Sequence, residues 1–86
     1  HVSFMQAIHK NEIQLRVYER GVGETQACGS AACAATVIGQ MLGQLDKHVT
    51  VCMPGGHLQV AANGPNAPIT LTGSGEWVFT GEIEIQ

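Results

Sequence analysis

Apolar residues along this chain follow two rhythms. Between Glu12 and Tyr18 they alternate, with Ile13, Leu15 and Val17 on one side and Glu12, Gln14, Arg16 and Tyr18 on the other. That is the period of a strand with one buried face. Val2 to His9 is β-favouring, and Lys10-Asn11 between the two segments makes a turn, so a hairpin is predicted. Gly21-Val22-Gly23 breaks the second strand. From Ser30 to Gln44 the rhythm changes. Ala31, Ala32, Cys33, Ala34, Ala35, Val37, Ile38, Met41 and Leu42 leave only Thr36, Gln40 and Gln44 as a thin polar line at helical spacing. A helix without a charged face is buried on most sides, and small residues permit close approach by a sheet. The pattern predicts a central helix wrapped by strands.

After Asp46-Lys47 the two-residue period returns. Val49, Val51 and Met53 share a face, and Pro54-Gly55-Gly56 makes a turn. Leu58, Val60 and Ala62 form the return strand, and Asn63 to Asn66 a loop. Ile69 and Leu71 mark another strand, closed by Gly73-Ser74-Gly75. In the last one Trp77 and Phe79 read as core, with Glu82 and Glu84 on a solvated side. About six strands and one helix make an α+β fold. The expected architecture is a mostly antiparallel, barrel-like sheet around one buried central helix.

Composition narrows the function classes. At 86 residues the chain is one small domain with a thin core. Only 13% of residues are charged, the net charge is −3, and no basic cluster exists, so nucleic acid is a poor partner. The charge-free run Thr25 to Leu45 is broken by glycines and glutamines and does not make a membrane span. No basic n-region marks a signal peptide. Three cysteines are an odd count and fit a reducing cytoplasm better than a secreted disulfide framework. The chain opens without Met, directly into strand-like sequence, which leads to the expectation of the C-terminal part of a longer protein.

The chemistry concentrates in YERGVGETQACGSAAC, residues 18–33. Strand, glycine turn and Cys28-Gly29-Ser30 at a helix mouth follow one another. The first turn of a helix offers unpaired N–H groups and partial positive charge. An anion can dock there, and Gly29 leaves room for its approach. A thiol at the same place has its pKa lowered. One helix end can thus hold a carboxylate and present a sulfur base to the adjacent atom. Equally, a small Cys before a helix is often only packing, and Gly-Ser is an ordinary helix start. Cys33, inside the helix, and Cys52, inside a strand, read as buried thiols.

This segment resembles the C-terminal signature of the diaminopimelate epimerase family. Phe4-Met5, Met53-Pro54-Gly55-Gly56 with Leu58 and Val60, and Leu71-Thr72-Gly73 followed by Val78-Phe79 and Gly81 agree with it. The resemblance implies cofactor-independent interconversion of LL- and meso-diaminopimelate, with two cysteines on opposite faces of the α-carbon. It makes Cys28 one of that pair, and the amides of Gly29 and Ser30 the seat of the α-carboxylate. Glu19 matches the carboxylate that meets the α-ammonium and assists thiol activation. Arg20 matches the guanidinium that binds the distal carboxylate, for which bidentate pairing suits it. No cofactor is implied. The chain departs from the family at Ala31, where Gly is usual, and at His1, where the family has a ligating Asn. The partner cysteine and an assisting His belong to an N-terminal lobe that is absent, so the expectation is a C-terminal lobe over residues 1–86, inactive alone. Exposed strand edges then favour association, including a homodimer.

Weaker features remain. Three Cys and four His raise zinc, but no C-x2-C or H-x3-H pair exists. Gly21-x-Gly23 is only half a dinucleotide fingerprint. Two rival readings stay open: a related two-base racemase or isomerase with another substrate, and a non-catalytic module that kept the fold.

Overall fold

In the computed structural model, which describes residues 2–19, 23–25, 29–73 and 76–82, seven strands form one sheet and a single helix packs on it. The strands are β1 (Val2–His9), β2 (Glu12–Glu19), β3 (Gly23–Thr25), β4 (His48–Met53), β5 (Gly56–Ala62), β6 (Pro68–Gly73) and β7 (Glu76–Glu82); the helix is α1 (Gly29–Met41). The sheet order is β1-β2-β4-β5-β6-β7, with β3 also paired to β2. The β1–β2, β4–β5, β5–β6 and β6–β7 ladders are antiparallel, and β2 and β4 run parallel. A parallel pair needs a crossover, which α1 supplies.

The expected α+β class holds, with a correction to its shape. The sheet has two ends, and no pairing joins β1 to β7 among the described residues, so it is an open sheet rather than a barrel. β3 was not expected from the sequence. It is three residues long and begins at Gly23, too short for any period to show.

Because side chains alternate across a strand, the parity read from the sequence fixes the core. Ile13, Leu15 and Val17, then Val49, Val51 and Met53, then Val60 and Ala62, then Ile69 and Leu71 are all buried on one face. The register matches them: Ile13 lies opposite Val51, Val49 opposite Val60, and Val60 opposite Leu71. Ala32, Cys33, Thr36, Val37 and Gly39 of α1 pack onto that face.

The helix ends at Met41, three residues short of the expected Gln44. Gly43 takes φ +74°; its N–H donates to the Gln40 carbonyl at 3.0 Å, and that of Gln44 to the Gly39 carbonyl at 2.9 Å. This is the double bond pattern of a Schellman stop, in which glycine supplies the left-handed residue.

The orientation of α1 also departs from expectation. Thr36 is fully buried, and its hydroxyl donates to the Ala32 carbonyl at 2.9 Å. Gln40 is half-buried; its Nε2 donates to the carbonyls of Asp46 at 2.8 Å and Ala62 at 3.0 Å, and its Oε1 accepts from Gly64 N–H at 2.8 Å. The first two-thirds of the polar line thus faces inward. Ile38, Met41 and Leu42 are 46%, 53% and 63% exposed instead. Among the described residues the strands therefore leave this face of the helix uncovered, and Gln40 turns in because loop backbone groups there need partners.

Candidate functional site

β2 carries one neighbour, β1, along one edge, and two neighbours in succession along the other. β4 takes Glu12 to Gln14, and β3 takes Val17 to Glu19. The fork sends the chain from the end of β2, through β3, to the start of α1. Glu19 closes β2, with its backbone opposite Gly23. Gly29 and Ser30 open α1. Cys28 and Arg20 lie outside the described residues, as do His1 and Glu84. The side chains of Glu19, Trp77, Phe79 and Glu82 also lie outside what is described. Of the expected site residues, the structure therefore locates the backbone of Glu19 and the helix start at Gly29 and Ser30.

The helix start has two properties suited to an anion. Its first turn holds no acidic residue, so no side chain of that turn offsets the partial positive charge there. Ser30 is exposed and Gly29 half-buried. Glycine at position 29 also has a packing reason. An ideal Cβ placed there would lie 2.6 Å from Cδ2 of Leu71. The missing side chain makes room for a buried leucine of β6 on that side, and φ is not positive at this glycine, so packing rather than backbone geometry demands it. Leu71 itself was legible as core by parity; its partner was not, because the contact joins residues far apart in sequence.

Ala31 is half-buried against the core and lines an apolar groove of about 220 Å3 with Ser3, Met5, Leu15, Ala34, Ala35 and Ile38. Its methyl is part of that wall.

The other two cysteines are free thiols in different settings. Cys33 is 1% exposed, and burial pushes its thiol up from the ordinary value. Cys52 was expected to be buried but is half-buried. Its neighbours Val51 and Met53 take the inner face, so Cys52 falls on the outer one. Its Sγ donates to Oε2 of Glu12 at 3.7 Å. Burial, then the Glu12 charge and this hydrogen bond, raise its pKa. A raised thiol pKa keeps the proton on sulfur, the opposite of what a thiolate base requires. Among the described residues, no group of three His, Cys, Asp or Glu side chains could hold a metal ion, and no helix is long and apolar enough to cross a membrane.

An open, mostly antiparallel sheet with one helix that begins at Gly29 defines an α+β protein among the described residues. The family model for diaminopimelate epimerase matches residues 1–78, and the chain belongs to that family. The match includes β1 through β6, the motif and α1.

Proposed function

We propose that this chain supplies one half of the site of a cofactor-independent epimerase that interconverts LL- and meso-diaminopimelate. The observation that carries the reading is positional: within a chain of this family, α1 begins at Gly29, the residue immediately after Cys28. The residue directly before a thirteen-residue helix is next in sequence to the helix's positive end, and this reading has the Cys28 thiolate favoured by it. The α-carboxylate of the substrate docks on the first-turn amides of Gly29 and Ser30. Glu19 receives the α-ammonium, and Arg20 pairs with the distal carboxylate.

The chemistry needs this arrangement because an amino-acid α-proton is weakly acidic. Negative charge that develops on the carboxylate as the C–H bond breaks is met by dipoles already in place. Cys28 acts as one member of a thiol pair. A thiolate on one face takes the α-proton and becomes a thiol, while the thiol on the opposite face gives its proton to the carbanion and becomes a thiolate. Two acids of matched strength let the site run in both directions. The second thiol comes from a further lobe, so residues 1–86 alone are inactive. The working enzyme is cytoplasmic, and a homodimer is compatible with its open strand edges.

The test is α-proton exchange of LL-diaminopimelate in deuterated water, with the complete two-lobed enzyme and its Cys28→Ala variant. The variant is expected to lose on the order of 10^3-fold in exchange from one stereoisomer. Undiminished exchange removes Cys28 from the mechanism. Measurable turnover by the 86-residue chain overturns the two-lobe reading.

A further inference from the structure

We propose that Leu71 is a positioning residue for the helix-end site: its Cδ2 methyl fills the place of the side chain that Gly29 lacks and sets where the first turn of α1 stands over the sheet. The proposal rests on the reading of Cys28 as an acid–base thiol at that turn.

Three observations converge on it. First, the contact is intimate, since any Cβ at residue 29 would come within 2.6 Å of the methyl. Second, Leu71 has little freedom to yield. It is 4% exposed and sits between two strands, opposite Val60 on one side and Phe79 on the other. The β6–β7 ladder slips immediately beyond it: Leu71 faces Phe79 while Thr72 faces Trp77, which leaves Val78 as the extra residue. Such bulges bend a strand locally and re-aim side chains. Third, the far end of α1 is held separately, by the Gly43 stop and the three hydrogen bonds of Gln40. With that end fixed and Ala32 and Cys33 seated on the sheet, the contact beneath Gly29 sets how closely the first residues of the helix approach β6. The influence of a helix end on a charge falls off within one turn. A small displacement there therefore changes how strongly the sulfur at residue 28 is favoured as thiolate.

The experiment is a size-exchange cycle on the 86-residue chain with Gly29→Ala, Leu71→Val and the double variant. Two quantities are measured for each protein: the thermal midpoint, and the rate of Cys28 alkylation by iodoacetamide from about pH 6 to pH 10, resolved to the single cysteine by fragment mass spectrometry. Gly29→Ala is expected to slow alkylation at neutral pH by roughly threefold and to move its pH profile upward. The double variant, which adds one methyl and removes the one it strikes, is expected to return the profile toward that of the parent. Leu71→Val introduces no clash, so it remains readable if Gly29→Ala fails to fold; a profile identical to the parent's overturns the proposal. So does a double variant no closer to the parent than Gly29→Ala. A parent Cys28 that titrates near the free value of ~8.5, with thermal midpoints still coupled between positions 29 and 71, overturns the acid–base reading and leaves the packing contact standing. The two failures are thereby distinguished.

Discussion

Leu45, just past the helix, folds back so that its Cδ1 and Cγ occupy the space where a side chain on Gly39 would stand. Gly39 and Leu45 are both buried, and this contact closes the connection from α1 to β4 over the core. An alanine in a helix interior ordinarily gains about 1 kcal/mol over glycine. Here the sign reverses. Gly39→Ala is expected to lower stability by about 1–3 kcal/mol through overpacking, measured as a fall in the urea midpoint at unchanged slope. A stabilised variant would show that Leu45 can vacate the position.

Gln40 satisfies the Asp46 and Ala62 carbonyls and the Gly64 N–H at once. Its truncation leaves partly buried backbone groups to find water. Gln40→Ala is expected to cost about 1–3 kcal/mol, and Gln40→Glu, which keeps the acceptor but loses the two donated bonds, a similar amount. Thermal melts of the two variants side by side check this.

Thr36 makes the opposite case. Its hydroxyl is buried, but the Ala32 carbonyl it meets is also the normal acceptor of the Thr36 backbone N–H. Thr36→Val keeps the shape and leaves no backbone group orphaned. Its unfolding free energy is expected to stay within about 1 kcal/mol of the parent, by denaturant titration.

The thiol pKa values of Cys33 and Cys52 are both raised in the folded chain, chiefly by burial. The folded state then holds a proton that the unfolded chain releases first. Stability is full below the unfolded thiol pKa and falls as pH rises from there through the folded values. The urea midpoint is expected to decline above about pH 8.5, and Cys33→Ala to flatten that decline. Glu12→Gln removes the charge and the charged acceptor beside Cys52, and alkylation of Cys52 at alkaline pH is expected to quicken.

On the proposed reading, Arg20 is the residue that separates diaminopimelate from substrates that lack a second carboxylate. In the complete enzyme, Arg20→Ala is expected to cost about 3 kcal/mol, on the order of 100-fold in kcat/KM, for diaminopimelate. Unchanged kinetics would favour the rival two-base enzyme with another substrate.

Much of this architecture could be read from residue order. Alternation delivered the bounds of β4 as observed, His48–Met53, because one buried face imposes a period that nothing else produces; β1, Val2–His9, was legible from its β-favouring residues alone, since it has no buried face among the described residues. The helix was legible in kind but not in extent or facing. Its composition is apolar nearly all round, so no moment points to a side, and which residues turn inward depends on loop carbonyls that the polar side chains meet only after folding. β3 is set by pairing to β2 rather than by its own Gly-Glu-Thr sequence. At the site, the motif named the residues, but the packing purpose of Gly29 required knowing that Leu71 arrives beneath it from a strand forty-two positions later.

β3 pairs with β2 alone among the described residues, through three residue pairs. So short a ladder opens at far less cost than the long β4–β5 hairpin. β3 can therefore part from β2 while the β4–β5 hairpin stays paired, and the backbone amides of residues 23–25 will trade hydrogen for deuterium well ahead of those in the hairpin.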